Sequence, residues 1–208
     1  MDGTLLDSMR VWESVAEDYL ISQGKTPMPG LYSALLALGG HEIPRYFQRV
    51  YGIRETEDEI LSGIYRLLEE FYFYKAPLKD GAIPVLEALL DSGVKMCVAT
   101  ATDRRLVEPA LRRCGVLEYF DRIFTCREEE TSKNRPDIYI RAAAFMGTEV
   151  NETLVAEDAP YAIRTAKMAG FTVAAIYDLS ADAQKDELRK ESDFYFDSLR
   201  GMLKIIRD

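Results

Sequence analysis

The spacing of apolar residues changes near Pro77, where a helical pattern gives way to short strands that alternate with helices. Before that point apolar residues recur every three or four positions, and no strand is predicted. Thr56 followed by Glu59 is the pattern of a capping box, which predicts the start of a long helix. The helices predicted here are 9–24, 31–39, 43–51 and 56–74, with a Gly-Gly pair separating the second from the third.

After Pro77, apolar runs of strand length alternate with helices that end at glycines. Strands are predicted within 94–100, 119–125, 154–156 and 172–177, with a short edge strand at 194–196. Helices are predicted over 83–92, 104–114, 136–146, 159–169 and 199–206. Because strands alternate with helices, the sequence predicts an α/β fold with a parallel sheet covered on both faces.

Composition and charge limit the partners. The 208 residues are 48% hydrophobic and 29% charged, and the net charge of −9 argues against a nucleic-acid partner. No apolar run approaches the roughly 20 residues of a membrane helix, and the first residues lack a signal-peptide pattern. Three cysteines, Cys97, Cys114 and Cys126, have no metal-ligand spacing, and Cys97 is expected to be a buried free thiol. A cytoplasmic protein is therefore predicted.

His41 is the only histidine. A single histidine weakens any scheme that needs a histidine base, including serine and cysteine hydrolase triads, and it also weakens any multi-histidine zinc site. Carboxylates, hydroxyls and lysines must therefore carry any chemistry.

Four polar stretches have the residue types that a phosphate site needs: 1–8, 98–102, 132–137 and 154–158. Asp-Gly-Thr at residues 2–4 is a tight-turn sequence, because glycine accepts positive φ and threonine can bond locally. In a parallel α/β sheet, ligands bind beyond the carboxyl ends of the strands. An acid, a hydroxyl, an ammonium and paired carboxylates would converge there, which suits a phosphate group and a divalent cation.

Taken in this order, the four stretches resemble the four motifs of the haloacid dehalogenase-like hydrolase superfamily, in particular its phosphatase branch with a helical cap. The resemblance covers essentially the whole chain. It implies a Rossmann-like α/β core formed by residues 1–9 and 77–208, with an inserted α-helical cap domain formed by residues 10–76.

The resemblance places the attacking group outside the 208 residues. The first motif of the family is Asp-x-Asp-Gly-Thr after a hydrophobic strand, and its first Asp is the nucleophile. Met1 occupies the x, so we expect about ten further residues before it, ending in Asp, a length set by an ordinary strand. That strand would lie between the strands ending at Thr100 and Glu157, which without it would stand roughly 9–10 Å apart.

The resemblance also implies roles for residues within the chain. Asp2 would be the general acid and base and would bind magnesium through its carbonyl oxygen. Thr100, with the amide of Ala101, would bind phosphate, and Lys133 would offset the repulsion between anions. Each has an ordinary alternative: a turn aspartate, a threonine that satisfies a strand end, an exposed lysine. Thr100 is preferred to Thr102 because it directly follows the apolar run.

Glu157 and Asp158 are adjacent acids after an apolar run, which is costly at a buried strand end unless a cation compensates them. Magnesium prefers hard oxygen ligands together with water and phosphate. We expect Asp158 to bind Mg²⁺ directly and Glu157 to bind it directly or indirectly. The alternative is that Asp158 caps the helix that follows, and both roles could coexist.

In the helical domain, five residues could reach a substrate: Trp12, Arg45, Arg49, His41 and Lys75. Most aromatic residues there are expected in the core, and most cations are expected to face solvent. In the sugar-phosphate mutases related to this family, a histidine usually stands where Trp12 is here. Trp12 therefore favours a phosphatase over a mutase.

The predicted function is Mg²⁺-dependent hydrolysis of a small phosphorylated metabolite through a phosphoaspartate intermediate. Whether the protein is a monomer or a homodimer stays open. One alternative is a catalytically inactive protein that binds a phosphorylated ligand or a partner, if the natural chain begins at Met1. Another is a phosphosugar mutase or a phosphonate-cleaving relative.

Overall fold

The computed structural model describes residues 1–36, 38 and 42–206, and the chain divides into two compact units. One unit, which we call the α/β unit, comprises Met1–Met9 and Ala76–Asp208, and the other, the helical unit, comprises Arg10–Lys75. His41 and the Gly39-Gly40 pair lie outside the described residues. Among the residues described, no helix combines the length and the apolar character that crossing a bilayer requires.

The helical unit is built from the helices that the apolar spacing predicts. They are α1 (Met9–Ser22), α2 (Leu31–Leu36), α3 (Ile43–Tyr51) and α4 (Glu57–Tyr74). The capping box is confirmed, because the Glu59 amide donates to the Thr56 hydroxyl and the Glu59 carboxylate accepts from the Thr56 amide. In the core, the rings of Tyr19 and Phe47 stack with their centroids 5.7 Å apart, which joins α1 to α3.

The α/β unit alternates helices and strands as predicted. Its elements are α5 (Ala82–Asp91), β1 (Cys97–Thr100), α6 (Arg104–Arg113), β2 (Arg122–Thr125), α7 (Asp137–Met146), β3 (Leu154–Glu157), α8 (Pro160–Met168), β4 (Thr172–Ile176), α9 (Lys185–Glu191), β5 (Phe194–Phe196) and α10 (Leu203–Ile206). The sequence did not predict α9, and residues predicted as one helix over 199–206 begin instead with a 3₁₀ turn, Leu199–Met202. The α/β class is confirmed.

The strands pair in parallel, as predicted, but they form two sheets rather than one within the described residues. β1 pairs with β2, with Val98 opposite Ile123. β3, β4 and β5 form the second sheet in that order, with β5 at its edge as predicted. β1 is also shorter than the predicted strand, because it begins only at Cys97 while the preceding residues 94 and 95 are exposed.

Helices α7 and α8 pack on the strands through fully buried side chains, including Ile138 and Ile163, which share a hydrophobic cluster with Phe124 and Val173. This packing fixes the strand ends from which the polar side chains emerge. Cys97 is half-buried rather than buried, whereas Cys126 is buried.

Candidate functional site

The Asp-Gly-Thr sequence forms the tight turn that it predicts. The carbonyl oxygen of Met1 accepts hydrogen bonds from the amides of Leu5, at 2.7 Å, and Leu6, at 3.0 Å. Gly3 has φ +69°, which a residue with a side chain rarely adopts. A Cβ atom at this position would lie 2.1 Å from Oδ2 of Asp158, so the turn approaches that carboxylate as closely as only glycine allows.

This turn contacts the segments that follow both β1 and β3. The Asp2 carboxylate accepts hydrogen bonds from the hydroxyls of Thr102, at 2.7 Å, and Ser8, at 2.6 Å. The Thr4 hydroxyl donates to Oδ1 of Asp158 at 2.7 Å. Residues from three distant parts of the sequence therefore meet at one turn.

The Thr100 hydroxyl makes a hydrogen bond within the loop after β1 rather than to the carboxylate of Asp2. It accepts this hydrogen bond from the Thr102 amide at 3.1 Å, and the Thr100 side chain is buried. The hydroxyl that donates to the Asp2 carboxylate is that of Thr102, a contact that was not predicted. Ala101, between them, is exposed. Thr100 and Thr102 stand on either side of one small residue, a pattern visible in the sequence. This pattern alone does not decide which of the two hydroxyls reaches the carboxylate of Asp2.

Lys133 and Glu157 form a buried ion pair, so the alternative of an exposed lysine is wrong. The Lys133 ammonium donates to Oε1 of Glu157, which also accepts from the Tyr139 hydroxyl at 3.3 Å. Oε2 of the same carboxylate accepts from the amides of Asp158, at 2.9 Å, and Ala159, at 3.3 Å. Both carboxylate oxygens of Glu157 are therefore engaged by donors. Tyr139 was not predicted to belong to this cluster.

The pKa values of the two adjacent acids, Glu157 and Asp158, are shifted in opposite directions. Burial alone would raise the pKa of Glu157, but the positive charge of Lys133 outweighs it and lowers that pKa to about 2. Burial and the neighbouring Glu157 charge raise the pKa of Asp158 to about 7. The amino group of Met1 lies among these groups, near Lys133 as well as the acids. Of these two carboxylates, Asp158 is therefore the one whose negative charge is less well compensated by its surroundings.

The donor set suits a hard cation held partly by water and substrate. Among the described residues, no three His, Cys, Asp or Glu side chains gather closely enough to cage a metal ion. A Mg²⁺ site needs only one or two carboxylates when phosphate and water complete it. Asp158 fits that requirement, and it does not cap α8, because Ala159 holds the cap position. The donors that occupy Glu157 suit it to an indirect role.

The remaining candidates lie in the helical unit: Trp12, Arg45, Arg49 and Lys75. The indole of Trp12 donates to the Tyr72 hydroxyl at 2.9 Å, inside that unit. Arg45 pairs with Glu57 at 2.8 Å and is largely exposed, as is Arg49. Trp12 is therefore partly buried within the helical unit, and the two arginines lie on the surface of that unit.

Comparisons find a family model and several known proteins that this chain resembles. A family model described as haloacid dehalogenase-like hydrolase matches residues 1–170. Validoxylamine A 7'-phosphate phosphatase of Streptomyces hygroscopicus subsp. limoneus is 32% identical over 115 residues, which are 54% of this chain and 54% of that protein. Fructose-1-phosphate phosphatase YqaB of Escherichia coli is 24% identical over 82% of this chain and 89% of that protein.

A solved structure shares the fold. The crystal structure of CbbY from Rhodobacter sphaeroides, in complex with phosphate, superposes with a TM-score of 0.78. It covers 97% of this chain and 93% of that chain at 22% sequence identity, so the likeness is one of fold.

Proposed function

The chain belongs to the haloacid dehalogenase-like hydrolase family, and we propose that it hydrolyses small phosphate monoesters with Mg²⁺ through an aspartyl-phosphate intermediate. The observation that carries the proposal is the meeting of Asp2, the loop after β1, Lys133 and the Glu157-Asp158 pair around one turn. Relatives named as phosphatases of phosphorylated sugars support the substrate class.

The charge of the cluster supports the requirement for a cation. Asp2 and Glu157 contribute two carboxylates, and Asp158, with a pKa of about 7, contributes a third that ionises near neutral pH, against the single side-chain ammonium of Lys133. A phosphate dianion brought to such a cluster would be repelled, and the repulsion is strong in a buried site. Mg²⁺ held by Asp158, the carbonyl oxygen of Asp2 and water would supply the missing positive charge to the phosphate oxygens.

The chain's own residues have distinct proposed tasks. Asp2 transfers the proton to the leaving oxygen and later takes one from water, and the hydroxyls of Ser8 and Thr102 hold its carboxylate in one orientation. The Thr100 hydroxyl and the Ala101 amide donate to phosphate oxygens. Lys133, fixed by Glu157, presents its remaining protons to the same oxygens.

The attacking carboxylate implied by the family lies two positions before Asp2 and hence outside the 208 residues. The proposal is tested with the chain as it stands and with a form extended before Met1 by a strand-length segment that ends in Asp. Phosphate release from para-nitrophenyl phosphate with Mg²⁺ is measured for both, and for a matched extension ending in Asn. We expect release by the Asp extension alone.

Release by the Asn extension at the same rate would contradict the proposed nucleophile. If none of the three forms releases phosphate while phosphorylated ligands still bind, the result would favour the second candidate, a catalytically inactive binding protein. In the active form, Asp2→Asn should lower kcat by about 10²–10⁴-fold, the usual contribution of a general acid or base. Analysis of the product distinguishes hydrolysis from phosphoryl transfer by a mutase.

The helical unit is the proposed cap, which selects the substrate and excludes water during the reaction. Arg45 and Arg49 are its proposed contacts to substrate, and Trp12 is a third candidate. In the active form, Arg49→Ala should raise KM for a sugar phosphate more than KM for para-nitrophenyl phosphate. An Arg66→Ala variant, which removes an exposed cation of the same unit, is the control for simple loss of a surface cation.

A further inference from the structure

The turn that carries Asp2 is bonded at two points by one distant residue, Lys79. The Lys79 ammonium donates to the carbonyl oxygen of Gly3 at 2.6 Å, and the Lys79 amide donates to the carbonyl oxygen of Leu5 at 2.9 Å. The backbone has only two soft dihedral angles per residue. Fixing the Gly3 carbonyl therefore also limits the direction of the Asp2 side chain, which comes just before it.

The other contacts of the Lys79 ammonium tie it to the end of β4. It donates to the carbonyl oxygen of Tyr177 at 2.7 Å and to Oδ2 of Asp178 at 2.8 Å, and the side chains of this ion pair are largely buried. An ammonium has three protons, so each of them has an acceptor. Oδ1 of Asp178 accepts from the amide of Ser180, at 3.0 Å, and from its hydroxyl, at 2.7 Å. Lys79 therefore cannot turn without breaking a hydrogen bond.

Stability alone does not account for a buried ion pair at this place. The cost of taking two charges out of water is comparable to their attraction inside the protein, so apolar residues of similar volume often stabilise a fold as well or better. An ammonium, unlike an apolar side chain, fixes the positions of its acceptors relative to one another. One acceptor of Lys79 belongs to the residue that follows Asp2. The contacts therefore favour an orienting role for Lys79.

The proposed task of Asp2 depends on its position. Its carboxyl group must meet the leaving oxygen as the bond from that oxygen to phosphorus breaks, and a displacement of about 1 Å can lower such a rate by about 10²-fold. The hydroxyls of Ser8 and Thr102 orient the end of the Asp2 side chain. The backbone from which this side chain starts is set by the turn, and the turn is bonded to Lys79.

We propose that Lys79 is a positioning residue for Asp2: its ammonium anchors the Gly3 carbonyl to the end of β4 and so places the Asp2 carboxyl group at the leaving oxygen of the phosphate ester. This rests on the proposed function, in which Asp2 gives its proton to that oxygen while the attacking carboxylate bonds to phosphorus. Lys79 itself does not touch the reacting atoms. Its contribution is largest for a basic leaving group, because such a group most needs the proton.

The first test measures the turn in the 208-residue protein and in the double variant Lys79→Met/Asp178→Asn. The variant removes the ammonium without leaving an unpaired charge, and asparagine can still accept from Ser180. The amides of Gly3 and Leu5 both donate within the turn. Their hydrogen exchange should become at least about tenfold faster, the usual strength of a hydrogen bond to a charged group. This increase should exceed any change in the amides of α7.

The matched control is the double variant Lys167→Met/Asp193→Asn. It changes the same residue types in an ion pair of the α/β unit at 2.7 Å, where both side chains are about one-third exposed. Asp193 also accepts from the amide of Val173, which asparagine can continue to do. Exchange of the turn amides and hydrolysis of both substrates used below should stay unchanged in this control.

The second test compares two substrates in the active form, the one extended to an Asp before Met1. Para-nitrophenyl phosphate has a leaving group that needs little protonation, whereas the leaving group of phenyl phosphate is more basic. The ratio kcat/KM reports the step in which the leaving oxygen departs. Lys79→Met/Asp178→Asn should lower it by about 10²-fold for phenyl phosphate and by at most about tenfold for para-nitrophenyl phosphate. Simple loss of folded protein would lower both by the same factor.

Two results would overturn the proposal. Unchanged exchange of the turn amides would show that Lys79 does not hold the turn, whether or not the protein is a hydrolase. Equal losses for the two substrates would show that Asp2 keeps its position without Lys79. If the unsubstituted active form cleaves neither substrate, the proposed function fails, and the exchange measurement alone then decides whether Lys79 anchors the Asp2 turn.

Discussion

Lys79 holds together the segments that position the Asp2 turn, and its replacement by methionine should destabilise the protein strongly. Its ammonium donates to the carbonyl oxygens of Gly3, at 2.6 Å, and Tyr177, at 2.7 Å, and to Oδ2 of Asp178 at 2.8 Å. The Lys79 side chain is 14% exposed and that of Asp178 is 6% exposed. Methionine keeps the apolar stem but removes all of these hydrogen bonds.

The magnitude follows from the burial of the partner. Removing one member of a buried ion pair leaves an uncompensated charge and costs about 3–5 kcal/mol. The Asp178 carboxylate would keep only the donors of Ser180, its amide at 3.0 Å and its hydroxyl at 2.7 Å. Since domains are stable by about 5–15 kcal/mol, the loss should be a large share of the total.

The assay is urea denaturation at pH 7, comparing the protein with Lys79→Met and with the double variant Lys79→Met/Asp178→Asn. The double variant should recover part of the loss, because the unpaired charge is gone. Lys167→Met is the matched control: Lys167 pairs with Asp193 at 2.7 Å, but both side chains are about one-third exposed. That control should lose about 1 kcal/mol or less. Equal losses in the buried and exposed variants would refute the reasoning.

The pH dependence provides a second check on the same pair. Burial would raise the pKa of Asp178, but hydrogen bonds from Lys79 and Ser180 outweigh it, and the pKa in the folded protein is lowered from 3.8. A carboxylate with a lowered pKa adds stability above its unfolded pKa and loses it as pH falls through the folded value. The difference between the protein and Lys79→Met should therefore be full at pH 7 and shrink below about pH 3.8. A difference that stays constant down to pH 2 would contradict this assignment.

Three further outcomes are expected. Gly3→Ala should lower the free energy of unfolding in urea by at least about 1–3 kcal/mol, because Gly3 has a φ of +69° and a Cβ atom there would clash with Asp158. Gly115→Ala, at φ +70° with open space around it, should lower the free energy of unfolding by less. Thr56→Ala should cost about 1 kcal/mol through loss of the capping box, measured in the same way. Because burial raises the pKa of Cys97 to about 11, its alkylation rate should still rise tenfold per pH unit between pH 8 and 10; a plateau near pH 9 would contradict this.

The sequence predicted features that depend on neighbouring residues. The capping box at Thr56 and the apolar spacing of α4 involve residues one or two turns apart, so the pattern identifies them directly. Alternation of strands and helices predicted parallel pairing, because a chain can return to a parallel neighbour only through a crossover.

Long-range polar contacts could not be predicted in this way. Lys79 stands in a short loop sequence that looks like any exposed lysine, and its partners Gly3 and Tyr177 are 76 and 98 residues away. The contact between Thr102 and Asp2 was not predicted for the same reason, since 100 residues separate the two in the sequence. The Thr102 amide bonds the Thr100 hydroxyl within the loop, while the Thr102 hydroxyl reaches across to Asp2.

The Glu157-Asp158 pair shows how sequence adjacency can conceal a difference in chemistry. Successive side chains at a strand end point to opposite sides, so two neighbouring acids cannot share one environment. Glu157 points toward Lys133 and Tyr139, and it also receives backbone amides, so its charge is balanced within the protein. Asp158 points toward the turn at Gly3 and Thr4, where one hydroxyl is its side-chain donor. The first acid is therefore suited to hold the lysine in place, whereas burial and the charge of Glu157 raise the pKa of the second to about 7.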